Sequence, residues 1–472
     1  MTDTTQGPPG TPPTSPIANA VGALVPHRSA GLKLLLVCGL ALLMAIPALF
    51  VFGVVQDRSN GASHALSEVS QKVGGQQSVL GPVLALPYTR TPNPQKPDII
   101  VHGVAIAYAE EGSVMSDVSV EERARGIYLV PVFSADMAFK ARFDPDALRG
   151  AVPRDASAVW SDARIYFGVS DNRGIGATRL RVNGASVPVE PAPYMHRSDG
   201  GYHPVPASGV NLAAGDWTGL QTAEAPFDVE LDLSLTGAQR LAVGPFAKST
   251  TLSLTSDWES PSFTGGILPS AHNVSEEGVD GFSANWNVPY LARNIPGAGA
   301  TLNLSDVTAW DQRDMAVRFM REANPYQSVQ RALKYAAMFV GFVFLAYFLF
   351  EIASGLRAHP AQYVLVGLAQ AIFYLLLLAL SERIGFDGAF LIAAIMTVSL
   401  TAAYAASVFR SLAYGMRALA VLSGIYGLIF VLMRAEDHAL LAGAFASFAA
   451  IALTMWMTRH IDWYGERDTV RA

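Results

Sequence analysis

Cysteine is almost absent from this 472-residue chain, where Cys38 is the one thiol. It lies inside an apolar run, so the sequence offers no disulfide framework and no thiolate metal site. Charge is also scarce. Charged residues make up 15% of the chain, against about 25% in ordinary soluble proteins. The net charge of -6 is mild and provides no basic surface for a polyanion, which excludes nucleic acid as a partner. Catalytic signatures are missing as well. There is no His-Glu-x-x-His and no Gly-x-Ser-x-Gly. Ala247-Lys248-Ser249-Thr250 resembles the end of a phosphate-binding loop but lacks the glycine before the lysine. Gly174-Ile175-Gly176 is a fragment of a dinucleotide fingerprint among strand patterns and reads as a turn. His64, His102, His196, His203 and His272 are scattered without ligand spacing. His196 and His203, near Tyr194 and Tyr202, could meet in space, although surface loops are the commoner home of such histidines. No catalytic, cofactor or metal residue is assigned, and the chain is read as non-enzymatic.

What the sequence has is hydrophobicity in long runs, 51% of all residues. A membrane helix needs about 20 mostly apolar residues to cross ~30 Å of hydrocarbon. The first such run, Leu34 to Val55, carries no charge; Lys33 precedes it and Gln56-Asp57-Arg58 ends it. It is longer than the apolar region of a secretory signal, and no small-x-small cleavage site directly follows, so it reads as an uncleaved anchor. Further runs span Ala336 to Phe350, Tyr363 to Leu380, Phe386 to Phe409, Ala418 to Met433 and Ala439 to Met457. The fifth of the six is short and could be tilted, re-entrant or misbounded, which leaves five spans as the rival count.

Lysine and arginine in short loops set the orientation. With the N-terminus inside, the inner segments hold Arg28, Lys33, Arg357, Arg410, Arg417, Arg459, Arg467 and Arg471. The outer short loops hold Arg383 and Arg434, among Glu382, Asp387, Glu436 and Asp437. Both termini are therefore expected in the cytoplasm, and the long segment between spans one and two in the periplasm.

Residues Met1 to Pro26 are rich in Pro, Thr, Ser and Gly and cannot bury enough apolar surface to offset ordering entropy, so they read as a disordered leader. The segment between the first two spans is long enough for a large domain. Leu66, Val69 and Val73 recur at helical spacing and predict a helix over Gly61–Val73 that continues off the first span. Beyond it the period changes to two. Phe227 to Leu235 alternates apolar and polar residues and predicts a half-buried antiparallel strand with its acids facing water. Met137, Phe139, Ala141 and Phe143 alternate likewise, as do Leu252 and Leu254. Asn183-Gly184, between two strand patterns, predicts a hairpin because a type I′ turn needs two residues tolerant of positive φ. The fold class expected is about six transmembrane helices with a large, mainly antiparallel β-domain, with a sandwich as one possible form.

Transporters and proton relays usually place ionisable groups at membrane depth, at about 2.5–3.5 kcal/mol each on insertion scales. Here Glu351, Glu382, Asp387 and Arg410 all sit at span ends, and Gln370 is the most polar residue deep within a run. Ala393, Thr397, Thr401 and Ala405 form a stripe of small residues suited to close helix packing. Two loop motifs use unusual residues. His359-Pro360-Ala361-Gln362-Tyr363 opens the third span, and Arg459-His460-Ile461-Asp462-Trp463-Tyr464 follows the sixth. Interfacial anchoring accounts for both, and a sharper reading joins His359, His460 and Asp462 in one cytoplasmic contact surface.

These motifs, with Leu80-Gly81-Pro82-Val83, Pro261-Ser262-Phe263-Thr264-Gly265, Leu268-Pro269, Val274-Ser275-Glu276 and Phe373 to Glu382, carry a resemblance. The chain resembles the CreD (Cet) inner-membrane proteins of Gram-negative bacteria, also called cell-envelope integrity proteins, from the first span to the C-terminus. The resemblance implies regulation by a two-component system and a link to colicin tolerance, envelope integrity and β-lactam response. It brings no catalytic or cofactor residues. The expected layout is a leader over 1–31, an anchor helix over 32–55, a periplasmic β-domain over 56–334, a five-helix block over 335–458 and a cytoplasmic tail over 459–472. Candidate interaction or interfacial residues are His359, Gln362, Tyr363, Ser381, Glu382, His460, Asp462 and Trp463. The expected partners are membrane lipids and a periplasmic protein or cell-wall component. A transporter or lipid-handling role for the last five spans is the alternative.

Overall fold

The computed structural model describes residues 30–92, 95, 100–192, 211–274, 281–300, 313–319, 325–434 and 439–459. The leader up to residue 29, His196, His203, Ser275-Glu276 and the tail from residue 460 lie outside the described residues, and residues 30 and 31 already belong to the first helix. The chain divides into two compact units, one of Gly61–Glu322 and one of Met1–Asn60 with Ala323–Ala472.

The helical unit and the elements leading from it hold α1 (Ala30–Leu43) and α2 (Ala45–Lys72). In the β-unit, α3 (Pro145–Ala151) and α4 (Tyr290–Arg293) are short. The helices after it are α5 (Pro325–Lys334), α6 (Ala336–Ser354), α7 (Pro360–Ile384), α8 (Phe386–Val408), α9 (Leu412–Arg434) and α10 (Ala439–Thr458). Among the described residues six stretches are long and apolar enough to cross a membrane: α1 with α2, then α6 to α10. The first is broken at Met44 because Pro47 has no N–H for the preceding turn and its ring crowds that turn's carbonyl. The predicted helix over Gly61–Val73 is the distal half of α2.

The fifth span departs from its predicted start. It begins at Leu412, six residues before Ala418, and takes in Arg417. An arginine near a helix end can extend its charge to the interface while its stem stays among apolar neighbours, so one charge does not end the span. The small-residue stripe on α8 is buried, with Ala393 and Ala405 fully enclosed. Thr401 Oγ1 donates to the Thr397 carbonyl at 2.6 Å, and the Thr401 carbonyl accepts from Tyr347 Oη at 2.6 Å. Gln370, the polar residue deep in α7, accepts from Tyr426 Oη of α9 at 2.7 Å. These polar groups thus bond within the spans, as a medium without water favours, whereas the buried Tyr374 hydroxyl of α7 has no hydrogen-bond partner among the described residues.

The β-unit contains β1 (Gln77–Arg90), β2 (Val101–Ala107), β3 (Ala109–Arg125), β4 (Tyr128–Phe143), β5 (Ala156–Ala158) and β6 (Arg164–Val169). Next come β7 (Ile175–Val182), β8 (Ala185–Val187), β9 (Val189–Pro191), β10 (Asn211–Gly215), β11 (Phe227–Ala238) and β12 (Arg240–Gly244). The last are β13 (Ala247–Ser256), β14 (Pro261–Thr264), β15 (Ala271–Val274), β16 (Phe282–Val288), β17 (Ala298–Gly299) and β18 (Met315–Phe319). One sheet runs β14-β18-β12-β1-β6-β10-β9, with β2 and β5 also on the long β1 and β17 on β2. The other runs β15-β16-β13-β3-β4-β11-β7-β8. The pairs β1/β12 and β3/β13 are parallel and the other pairs antiparallel.

Residues of both sheets share one core. Phe139 and Phe246 meet edge to face at 5.6 Å, and Phe133 lies 5.3 Å from Phe319. The predicted alternation is realised in β11, where Phe227, Val229, Leu231, Leu233 and Leu235 are buried. On its outer face Glu230 and Asp232 both hold Arg181 of β7 at 3.0 Å. That contact with Glu230, and then the charge of Asp232, hold the Arg181 guanidinium above its ordinary pKa. The Asn183-Gly184 turn joins β7 to β8 with φ of 47° and 80°, both in the left-handed region. Gly174 closes a short 3₁₀ turn just before β7, and a Cβ there would sit 2.2 Å from the Thr236 carbonyl oxygen. Close backbone approach, not nucleotide binding, accounts for that glycine.

Candidate functional site

Five of the residues singled out in the sequence, His359, Gln362, Tyr363, Ser381 and Glu382, fall at two ends of one helix. At the first end, Pro360 pre-sets the opening turn of α7, and His359 caps it. His359 Nδ1 accepts from the Ala361 N–H at 3.2 Å, while Gln362 Oε1 accepts from the His359 N–H at 2.8 Å. This is a reciprocal capping box that satisfies backbone donors left open at a helix start. His359 and Gln362 are committed to that cap. Tyr363, one turn on, is buried, and its hydroxyl donates to Glu351 Oε2 at 2.9 Å.

Glu351 is the residue around which this end is built. It lies on α6 and is buried. Its other oxygen takes an ion pair from Lys33 of α1, and the Lys33 ammonium also donates to the Ala358 carbonyl at 3.1 Å. One carboxylate therefore ties the first span to the second and the third. A buried carboxylate without partners would cost several kcal/mol, and here a cation and a hydroxyl occupy both its oxygens. The signal in the sequence was faint. Lys33 and Glu351 are lone charges at the ends of long apolar runs, 318 residues apart.

At the far end of α7, Ser381 Oγ donates back to the Leu378 carbonyl at 2.8 Å within its own helix. Glu382 accepts from Tyr326 Oη of α5 at 3.2 Å and lies 4.0 Å from Arg58 Nε. Tyr363 and Glu382 are separated by about 28 Å along the 25-residue α7 at roughly 1.5 Å per residue, so the two groups form no common site. His460, Asp462 and Trp463 lie outside the described residues, and so does the contact surface expected of them with His359.

In the β-unit one side chain breaks the usual rules of burial. Arg293, at the end of α4, is fully buried, and among the described residues none of its three guanidinium nitrogens has a hydrogen-bond partner. Its guanidinium carbon rests 3.8 Å over the centre of the Tyr108 ring. Burial pushes its pKa down to about 10. The cation is held by an aromatic face instead of a carboxylate, an arrangement no spacing in the sequence announces. Elsewhere Asp314, also buried, pairs with Arg240 of β12 and accepts from the Gly266 N–H at 3.2 Å. Burial holds its carboxyl above the usual range even so. Among the described residues no cluster of three His, Cys, Asp or Glu side chains could hold a metal ion.

The pattern of an apolar anchor, a β-unit and five further spans is matched along nearly its whole length by one family. The family model described as inner membrane protein CreD matches residues 29–464. The chain belongs to the CreD family. The protein named inner membrane protein CreD from Escherichia coli (strain K12) is 32% identical over 432 residues, covering 90% of this chain and 92% of that one. This CreD-family chain is accordingly a multi-pass protein of the inner membrane, with six apolar helices and a large β-unit between the first and second of them. The relative's name denotes a membrane protein and no enzyme.

Proposed function

We propose that the chain is a non-enzymatic envelope-integrity protein whose β-unit faces the periplasm and binds a protein or cell-wall component there. The membrane block anchors that unit and relays its bound state. The observation that carries this reading is an open sheet edge. Among the described residues β15 ends the second sheet and pairs with β16 alone. All four of its residues are exposed, and Leu268, just before it, is 66% exposed. His272 of β15 lies 5.2 Å from the ring of Phe263, which itself packs against the buried Trp286, so the strand rests on the core. A bare edge strand presents unpaired N–H and C=O groups and is a ready template for an added strand.

The reading is tested by placing a photoreactive residue at Asn273 on this edge and another at Lys140 on the exposed face of β4. Cross-linking in intact cells should give a discrete adduct from Asn273 and none from Lys140. Adducts of equal yield from both, or from neither, would count against an edge-binding role.

The alternative of a lipid-handling role for the last five spans has one observation in its favour, an apolar groove among α6, α9 and α10. The hydrogen-bonded interior polar groups favour a packed block over an ion path.

A further inference from the structure

The groove has the dimensions and the charge of a lipid slot. It encloses about 610 Å³ between α6, α9 and α10, within the range of ~300–1,000 Å³ found for ligand pockets. Along α6 its lining runs from Phe342 to Ala353, and along α10 it ends at Met457. At roughly 1.5 Å per residue the α6 stretch covers about 16 Å, one leaflet of a ~30 Å hydrocarbon layer. The walls are aliphatic or aromatic nearly throughout. Thr454, one of the few polar residues on the wall, spends its hydroxyl on the Ala450 carbonyl at 2.7 Å.

The exception lies at one end. Tyr414 and Arg417 both line the groove there, and the Arg417 guanidinium carbon stands 5.0 Å over the Tyr414 ring. Arg417 is exposed, and among the described residues no carboxylate pairs with it. The same end of the helix block carries the exposed Arg357 and Arg410, which also have no acidic partner among the described residues. Glu351, the acid nearest in sequence to Arg357, is already taken by Lys33. An apolar trough of one-leaflet length, closed by a guanidinium that an aromatic ring holds in place, is complementary to an acyl chain joined to a phosphate. Basic pockets between membrane helices take anionic head groups on these terms.

We propose that this groove is a binding site for one anionic glycerophospholipid, with an acyl chain between α6, α9 and α10 and its phosphate on Arg417. The site is independent of the β15 edge and of any partner bound there. Gly424 supplies a clean test, because it lines the groove and a Cβ added to it would meet nothing within 4 Å. Gly424→Phe fills the slot without opposing the helix, since glycine is the poorer helix former.

The full chain is reconstituted in bilayers of phosphatidylcholine and phosphatidylglycerol, stripped in mild detergent and weighed intact by native mass spectrometry. The expected result is one retained phosphatidylglycerol per chain. Arg417→Gln should lower the preference for phosphatidylglycerol over phosphatidylcholine about tenfold, the value of one charge-assisted hydrogen bond. Gly424→Phe should remove retained lipid of both kinds. Retention unchanged in both variants would mean annular lipid only and would overturn the proposal. Loss with Arg417→Gln but not with Gly424→Phe would mean a head-group site without a chain slot and would equally overturn it. A stable dimer dissolved by Gly424→Phe, with lipid retention unaltered, would show a second copy's helix in the groove instead.

Discussion

Arg293 illustrates how far a single residue can depart from the rules its neighbours obey. Its cation is enclosed in the β-unit with the Tyr108 face for company and with burial as the main cause of a pKa near 10. A guanidinium held in that state at neutral pH costs on the order of 3 kcal/mol relative to water. Arg293→Met keeps much of the side-chain volume and removes the charge. It should raise the melting temperature of the full chain in detergent by several degrees, about 2–4 °C per kcal/mol for a unit of this size. A fall of similar size would mean that the stacking on Tyr108 outweighs the desolvation. Nothing in the sequence points to this residue, because an arginine ending a short helix looks like any surface arginine until the fold closes over it. Asn183 and Gly184 were legible for the opposite reason: their positive φ is a local demand that tertiary packing does not change.

Among the elements, the sequence specifies the centres of the helices more closely than their ends. Apolar runs fix that a span exists, whereas its limits depend on caps and partners that come from elsewhere in the chain. The early start of α9 at Leu412 follows from an arginine that can reach the interface, and the start of α7 at Pro360 follows from the His359-Gln362 cap. The Lys33-Glu351-Tyr363 cluster is barely legible for the same reason, since each member stands at the edge of its own run. The cluster predicts strong coupling. Glu351→Ala alone leaves the half-buried Lys33 ammonium with the Ala358 carbonyl alone and the buried Tyr363 hydroxyl without its acceptor, and should destabilise the block by about 1–3 kcal/mol, whereas adding Lys33→Met should recover part of that loss. Thermal unfolding of the two variants in detergent measures this, and strictly additive losses would show that the pair contributes nothing as a pair. Strands were legible where one face is buried and one wet, as in β11 and β4. Strands such as β14 and β15 have no clean alternation of burial, and their pairing emerges only when β18 and β16 are placed beside them.

At the scale of the whole molecule, the chain combines a β-unit that has a large core of its own with a helical block in which Tyr347 pairs with Thr401 and Tyr426 with Gln370 in the interior. Apart from the enclosed Arg293 and Asp314, the side chains singled out lie at the ends of spans and at one sheet edge, which is where a membrane protein can meet lipids and other proteins. The reading of β15 as a binding edge requires the β-unit to lie in the periplasm, on the opposite side from both termini. That requirement rests on the clustering of Arg357, Arg410 and Arg417 at one end of the block and on the acidic neighbours of Arg383 and Arg434 at the other, where Arg434 pairs with Asp387. A phosphatase reporter that is active only outside the cytoplasm tests it directly. Fused after Gly200 the reporter should be active, and fused after Tyr464 it should be silent. Activity after Tyr464 with silence after Gly200 would place the β-unit in the cytoplasm and contradict the account.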